Sequence, residues 1–121
     1  MSKRILLVGH CGVDGPWLQK EVSSLVQGAE VVRVNSEKDL RQHCDQGADL
    51  LLVNREPVGF ESSGLDIVEK VCADYPGCKC ILVSDYDDAQ KQATEAGALP
   101  GFGKSDVGSP KFSETLHRAL G

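Results

Sequence analysis

Asp49-Leu50-Leu51-Leu52-Val53-Asn54 (DLLLVN) places four apolar residues in a row between polar ends, with Arg55-Glu56-Pro57 directly after. A short unbroken apolar run of this kind is the pattern of a strand buried on both faces. Such a strand lies in the middle of a parallel α/β sheet, and the carboxyl ends of these strands open where ligands bind. Asn54 holds that end. The chemistry expected of the chain therefore turns on what an amide does there.

The 121 residues predict one domain, residues 1–121, long enough to enclose a hydrophobic core. The net charge of −5 argues against direct binding of nucleic acid through a basic face. No apolar run approaches the length of a membrane span, and Met1-Ser2-Lys3-Arg4-Ile5 runs straight into a strand without a secretory leader. A cytoplasmic location is the expectation. The five cysteines, at 11, 44, 72, 78 and 80, are odd in number and irregularly spaced. They are expected to be free thiols, and no ligand set for a metal accompanies them.

Working outward, Arg4–Val8 (RILLV) is a second apolar strand, followed by a loop, Gly9 to Gly15, and a helix with Pro16 in its first turn and Asp14 or Gly15 at the cap. Leu18, Val22 and Leu25 form that helix's apolar stripe, and Trp17 is expected to pack as a lid on the end of the sheet. Glu30–Val34 is a β-branched strand. Ser36 caps a short helix that runs to about Gln46 and is stopped by Gly47. After DLLLVN comes a long loop, Arg55 to Ser63, with an exposed-looking Phe60. Leu65, Val68 and Cys72 mark the next helix, broken at Pro76-Gly77. Cys80–Val83 is the fourth strand. The fourth helix, about Asp87 to Glu95, offers only Ala89, Ala93 and Ala96 to the core, so loose packing is expected. Gly101-Phe102-Gly103 is a short fifth strand, and Ser109-Pro110 opens a last helix with Phe112, Leu116 and Leu120 on its apolar face. Strand and helix alternate five times, the pattern of a parallel sheet covered on both faces.

In this register the chain resembles a response-regulator receiver domain, the CheY-like module of two-component signalling. The resemblance spans nearly the whole chain and rests on RILLV, DLLLVN with Pro57 after it, Ile81-Leu82-Val83-Ser84, and Glu95-Ala96-Gly97-Ala98 with Lys104 six residues on. It implies an α/β fold of (βα)5, flavodoxin-like type: a three-layer sandwich around a five-stranded parallel sheet of order 2-1-3-4-5. Receivers carry an acidic pair after the first strand, a phosphoaccepting aspartate ending the third, a hydroxyl residue after the fourth and a lysine after the fifth. The matching positions here are Gly9 and His10, Asn54, Ser84 and Lys104. The switch aromatic of the family falls on Gly101, with Phe102 one place late and facing away unless a bulge intervenes.

These replacements remove the phosphorylation chemistry from the expected pocket. An amide oxygen is a poor nucleophile, and magnesium favours carboxylate oxygens. With Gly9, His10 and Asn54 uncharged, Lys104 alone leaves the pocket at +1, an inversion of the family's negative site. No magnesium-dependent phosphorylation of Asn54 is expected, no metal or other cofactor is called for, and Lys104 should find a carboxylate from Asp14, Glu56 or Asp85. Asn54 also has a purely structural role open to it, capping the strand end by hydrogen bonds to loop amides.

The leading expectation is a receiver-like module that is not an enzyme. It would bind a protein partner, a histidine kinase or an output domain, through its fourth helix, fifth strand and fifth helix. A competing one is a small-ligand or nucleotide binder, because Gly9, Gly12 and Gly15 form GxxGxxG between a strand and a helix, a spacing that cradles phosphate elsewhere. A third is a thiol sensor at Cys11, placed near a helix N-terminus and Lys104.

Overall fold

The computed structural model describes residues 3–120. Five strands, β1 (Arg4–Val8), β2 (Glu30–Val34), β3 (Leu50–Asn54), β4 (Lys79–Val83) and β5 (Leu99–Phe102), alternate with helices α1 (Asp14–Leu25), α2 (Glu37–Gln46), α3 (Gly64–Asp74), α4 (Asp87–Glu95) and α5 (Pro110–Leu120). All strand pairs are parallel and the sheet order is β2-β1-β3-β4-β5. The fold is the flavodoxin-like, CheY-like sandwich that the resemblance implied, and the parallel sheet covered on both faces that the alternation implied.

The apolar runs explain the layering. Successive strand side chains face opposite sides, so a run apolar at every position feeds two cores. Ile5, Leu7, Leu50 and Leu52 meet α1 and α5 on one face, beside Leu18, Val22, Phe112 and Leu116. Leu6, Val8, Leu51 and Val53 meet α2, α3 and α4 on the other, beside Leu40, Ile67, Val68 and Val71. The helix ends follow local chemistry. Ser36 Oγ accepts from Asp39 N, Ser63 Oγ accepts from Asp66 N, and Gly47, with φ +95°, ends α2.

Five details depart from the sequence expectation. The residue before α1 is Val13, which makes no side-chain cap, so Asp14 is free to reach elsewhere. Trp17 is 40% exposed and is not a packed lid. Phe60 is half-buried, folding back onto the α2–α3 layer beside Leu40 and Tyr75. The fourth helix is not loosely held. Ala93 is fully buried, and the Gln90 side chain donates from Nε2 to the carbonyls of Leu82 (2.7 Å), Ser84 (3.0 Å) and Phe102 (3.3 Å). Finally, β5 begins at Leu99 rather than Gly101 and contains a bulge. Ile81 pairs with Leu99 and Val83 with Phe102, so two steps of β4 span three of β5.

Candidate functional site at the carboxyl ends of the strands

The cleft over the ends of β1, β3 and β4 has a volume of about 510 Å³, and Asn54, Ser84 and Lys104 line it together. The sequence brought these three together correctly. Gly9 and His10 do not line it; Cys11 and Asp14 stand there instead.

Gly9 is a hinge point of the site. Its φ is +75°, and a Cβ there would sit 2.2 Å from Cβ of Pro57. Only glycine allows this turn and this close approach. The β1–α1 and β3–α3 loops therefore touch, and Gly9 O accepts from Val58 N at 2.8 Å and from Asn54 Nδ2 at 3.0 Å. Asn54 Nδ2 also donates to Glu56 O at 3.1 Å. Both neighbours are carbonyl oxygens, which only accept, so the nitrogen of the amide must face them. The strand end is indeed capped by Asn54, but by donation to loop carbonyls rather than by acceptance from loop amides.

His10 turns into the protein. It is 1% exposed, and its Nε2 lies 2.9 Å from Leu52 O. A carbonyl partner requires the N–H on Nε2, so Nδ1 carries the lone pair, and Nδ1 has no partner. Burial holds the imidazole pKa below its ordinary value; the Leu52 hydrogen bond opposes this, Lys104 and Arg33 push further down, and Asp14 pushes up. At neutral pH the ring is uncharged and adds nothing to the charge of the cleft.

That charge is not inverted as expected. Lys104 and Arg55 face Asp14, Glu56 and Asp85, two cations against three carboxylates, a net of −1. Asp14, from the first turn of α1, supplies the missing acid. Its Oδ2 accepts from Lys104 Nζ at 2.7 Å, as expected of one of the three candidate partners, and this bond holds the Asp14 carboxyl below its usual pKa. Glu56 pairs with Arg55 at 3.2 Å, and Asp85 accepts from Ser105 N and Oγ. Ser84 Oγ accepts from Tyr86 N and so serves the turn after β4.

The cleft does not suit the magnesium ion that the fold family uses. Its carboxylates are spent on separate partners, and no three Asp, Glu, His or Cys side chains converge on a metal position among the described residues. Asn54 commits its nitrogen to the two loop carbonyls and brings no negative charge to the cleft, where magnesium sites favour carboxylates.

Phe102 is a core residue and not a switch aromatic. The bulge at Pro100-Gly101 turns it to the same face as Leu99, where it is fully buried edge-on to Phe112, with ring centroids 5.0 Å apart at 86°. Gly101, at the switch position, leaves room for Gln90: a Cβ there would lie 2.7 Å from Gln90 Oε1 and 2.5 Å from Leu82 O.

The Gly9, Gly12 and Gly15 loop is not a phosphate cradle. Gly9 N is bonded to Val34 O, Gly15 N to Cys11 O, and Asp14 N to Cys11 Sγ. Gly15 is backed by the Arg33 guanidinium, and the Asp14 carboxylate stands at the helix start. Gly12 is exposed. Of the other four thiols, Cys44 is pushed up to about 12 and Cys80 is also raised, both chiefly by burial, which makes them inert.

Sequence reasoning missed Arg55, Tyr86 and Gln90. Arg55 stacks over the Tyr86 ring at 4.7 Å. Both follow a strand end, which is a usable signal; a single glutamine on a short helix gives none.

No family model and no curated protein matches the sequence. Solved structures do match its fold. The signal receiver domain of a DNA-binding response regulator from Colwellia psychrerythraea 34H is 15% identical, with a TM-score of 0.79 over 98% of each chain. A response regulator from Thermotoga maritima is 15% identical, with a TM-score of 0.78 over 99% of this chain and 98% of that one. An orphan response regulator of H. pylori is 20% identical, with a TM-score of 0.77 over the same shares. The chain thus has the receiver fold.

Proposed function

We propose that the chain is a receiver-like module of two-component, phosphorelay-type signalling that works by protein contact and carries no magnesium-dependent phosphate on Asn54. The observation that carries this is the Asn54 amide, whose nitrogen donates to Gly9 O and Glu56 O. That geometry makes position 54 a clasp between two loops, and the neighbouring Lys104 is already bound to Asp14. The module is not an enzyme. Its partner, a histidine kinase or an output domain, binds the α4–β5–α5 face. In support, a small hollow lined by Leu99, Pro100, Thr115, Arg118 and Ala119 opens at the edge of β5, and Pro100 keeps that edge from simple strand addition.

The test is incubation with acetyl phosphate and Mg²⁺, read by intact mass, with beryllofluoride and Mg²⁺ followed by amide NMR in parallel. The expected result is no adduct and an unchanged spectrum. A stoichiometric adduct on Asn54 would overturn the proposal. For the contact face, Arg118→Glu should abolish binding of the partner while leaving the fold intact; a partner that binds this variant normally rules the face out.

A further inference from the structure

The large apolar side chains left exposed among the described residues are Val13 (79%), Trp17 (40%), Val58 (49%) and Tyr86 (63%). All four belong to the carboxyl end of the sheet. Val58 and Tyr86 line the cleft itself, and Val13 and Trp17 flank Asp14 at the start of α1. Chance scatter of surface hydrophobics would not confine them to one end.

The cleft also continues sideways. A second hollow of about 570 Å³ shares Arg55, Glu56 and Tyr86 with it and extends between α3 and α4 to Leu65, Ala89 and Gln92. The two make one trough, with Tyr86 standing in it and its ring braced by Arg55 at 4.7 Å. An exposed aromatic in the middle of a trough fits the anatomy of a binding hot spot.

Charge selects the occupant. Arg55 and Lys104 are each neutralised by a carboxylate, at 3.2 and 2.7 Å. Asp85, Asp87 and Asp88, all exposed and flanking Tyr86, have no cationic partner within 4.0 Å among the described residues. Asp87 and Asp88 favour the start of α4, yet they leave this wall with an unbalanced negative charge.

We propose that the trough receives a basic amphipathic helix of a protein partner, its apolar side chains lodged between Val58 and Tyr86 and its lysines or arginines facing Asp85, Asp87 and Asp88. Helices lie in grooves by such a stripe of anchors, and opposite charge on the rim sets the partner's polarity. The trough borders α4 on its α3 side and so shares that helix with the α4–β5–α5 face, but its lining has no residue in common with the Leu99–Arg118 hollow. Arg118→Glu, which should leave peptide binding here unchanged, separates the two assignments.

The probe is a synthetic leucine–lysine amphipathic helix, with a twin in which glutamate replaces lysine. Amide NMR should show the lysine peptide moving residues 54–63 and 84–92, and the glutamate twin moving none. Tyr86→Ala should weaken binding by about tenfold or more. Asp87→Asn with Asp88→Asn should weaken it by about three- to tenfold. The matched pair Asp39→Asn with Glu69→Gln, which changes net charge equally but elsewhere, should change it less than twofold, as about a few tenths of a kcal/mol would. Both variant pairs alter exposed side chains, so they fold. Equal losses in the two pairs, binding of the glutamate twin, shifts centred elsewhere or no binding at all would each overturn the proposal.

Discussion

Replacing Asn54 by aspartate is the sharpest single perturbation, because it changes one NH2 group to an oxygen and little else. In the native protein that nitrogen gives hydrogen bonds of 3.0 Å to Gly9 O and 3.1 Å to Glu56 O. The variant loses both, at about 0.5–1.5 kcal/mol each. It also sets an anionic oxygen against two carbonyl oxygens at hydrogen-bond distance, which adds about 1–2 kcal/mol at a part-buried site. The expected loss is about 2–5 kcal/mol at pH 7. For a chain of this size that corresponds to a fall in Tm of roughly 10 °C. The sign with pH follows from the same contact. The folded state disfavours the ionised carboxylate, so the folded pKa of the new aspartate lies above its unfolded value. The ionic part of the deficit is then complete above the folded pKa and vanishes as pH falls below about 4, where the protonated acid offers one donor in place of two and the loss of one hydrogen bond remains. Urea unfolding followed by far-UV circular dichroism at pH 7 and pH 4 measures both parts. A variant as stable as the parent at pH 7, or a deficit that does not shrink in acid, would refute the account of Asn54 as a donor. Restoration of the variant by Mg²⁺ would show that the cleft can assemble a cation site after all.

Two further tests probe the loops around that contact. His10 is buried neutral with a lowered pKa, so its contribution is present above the unfolded histidine pKa and is lost as pH falls toward the folded one. The parent should lose stability between pH 7 and 5 by at most about 1.4 kcal/mol per pH unit, the limit for one proton, and His10→Gln should flatten that slope; identical slopes would exclude His10 as the cause. Gln90→Ala removes a donor shared by three carbonyls, so it should cost about 1–3 kcal/mol and accelerate amide exchange across α4 specifically. Unchanged α4 exchange would mean that the alanine face alone holds the helix.

How much of this was legible in the sequence differs sharply between backbone and side chains. RILLV and DLLLVN disclose a two-sided parallel sheet because burial on both faces demands apolar residues at every position. The meeting of Asn54, Ser84 and Lys104 follows from strand ends alone, since parallel strands in one sheet finish on one side. Side-chain direction after a strand does not follow. Whether His10 enters the cleft or the core depends on the turn at Gly9, which is set by Pro57 from a loop nearly fifty residues away. The charge count offers Lys104 three carboxylates, Asp14, Glu56 and Asp85, but no local pattern encodes which one it takes; it takes Asp14, 90 positions away. The bulge in β5 shows in retrospect as Pro100-Gly101: alternation from Gly101 already turns Phe102 away from the switch position, whereas alternation counted from Leu99 would put it on the opposite face from the one observed. Phe60 looks exposed in a polar loop until α2 and α3 provide it with a wall.

The clasp at Asn54 has an implication for how such a chain can change over generations. An acid at 54 meets two carbonyls, a side chain at Gly9 collides with Pro57, and Asp14 is released only if Lys104 moves. No lone substitution makes the cleft ready for a cation, and the early steps each lower stability in a molecule with only several kcal/mol to spare. The present arrangement is therefore entrenched: drift can polish it far more easily than reverse it.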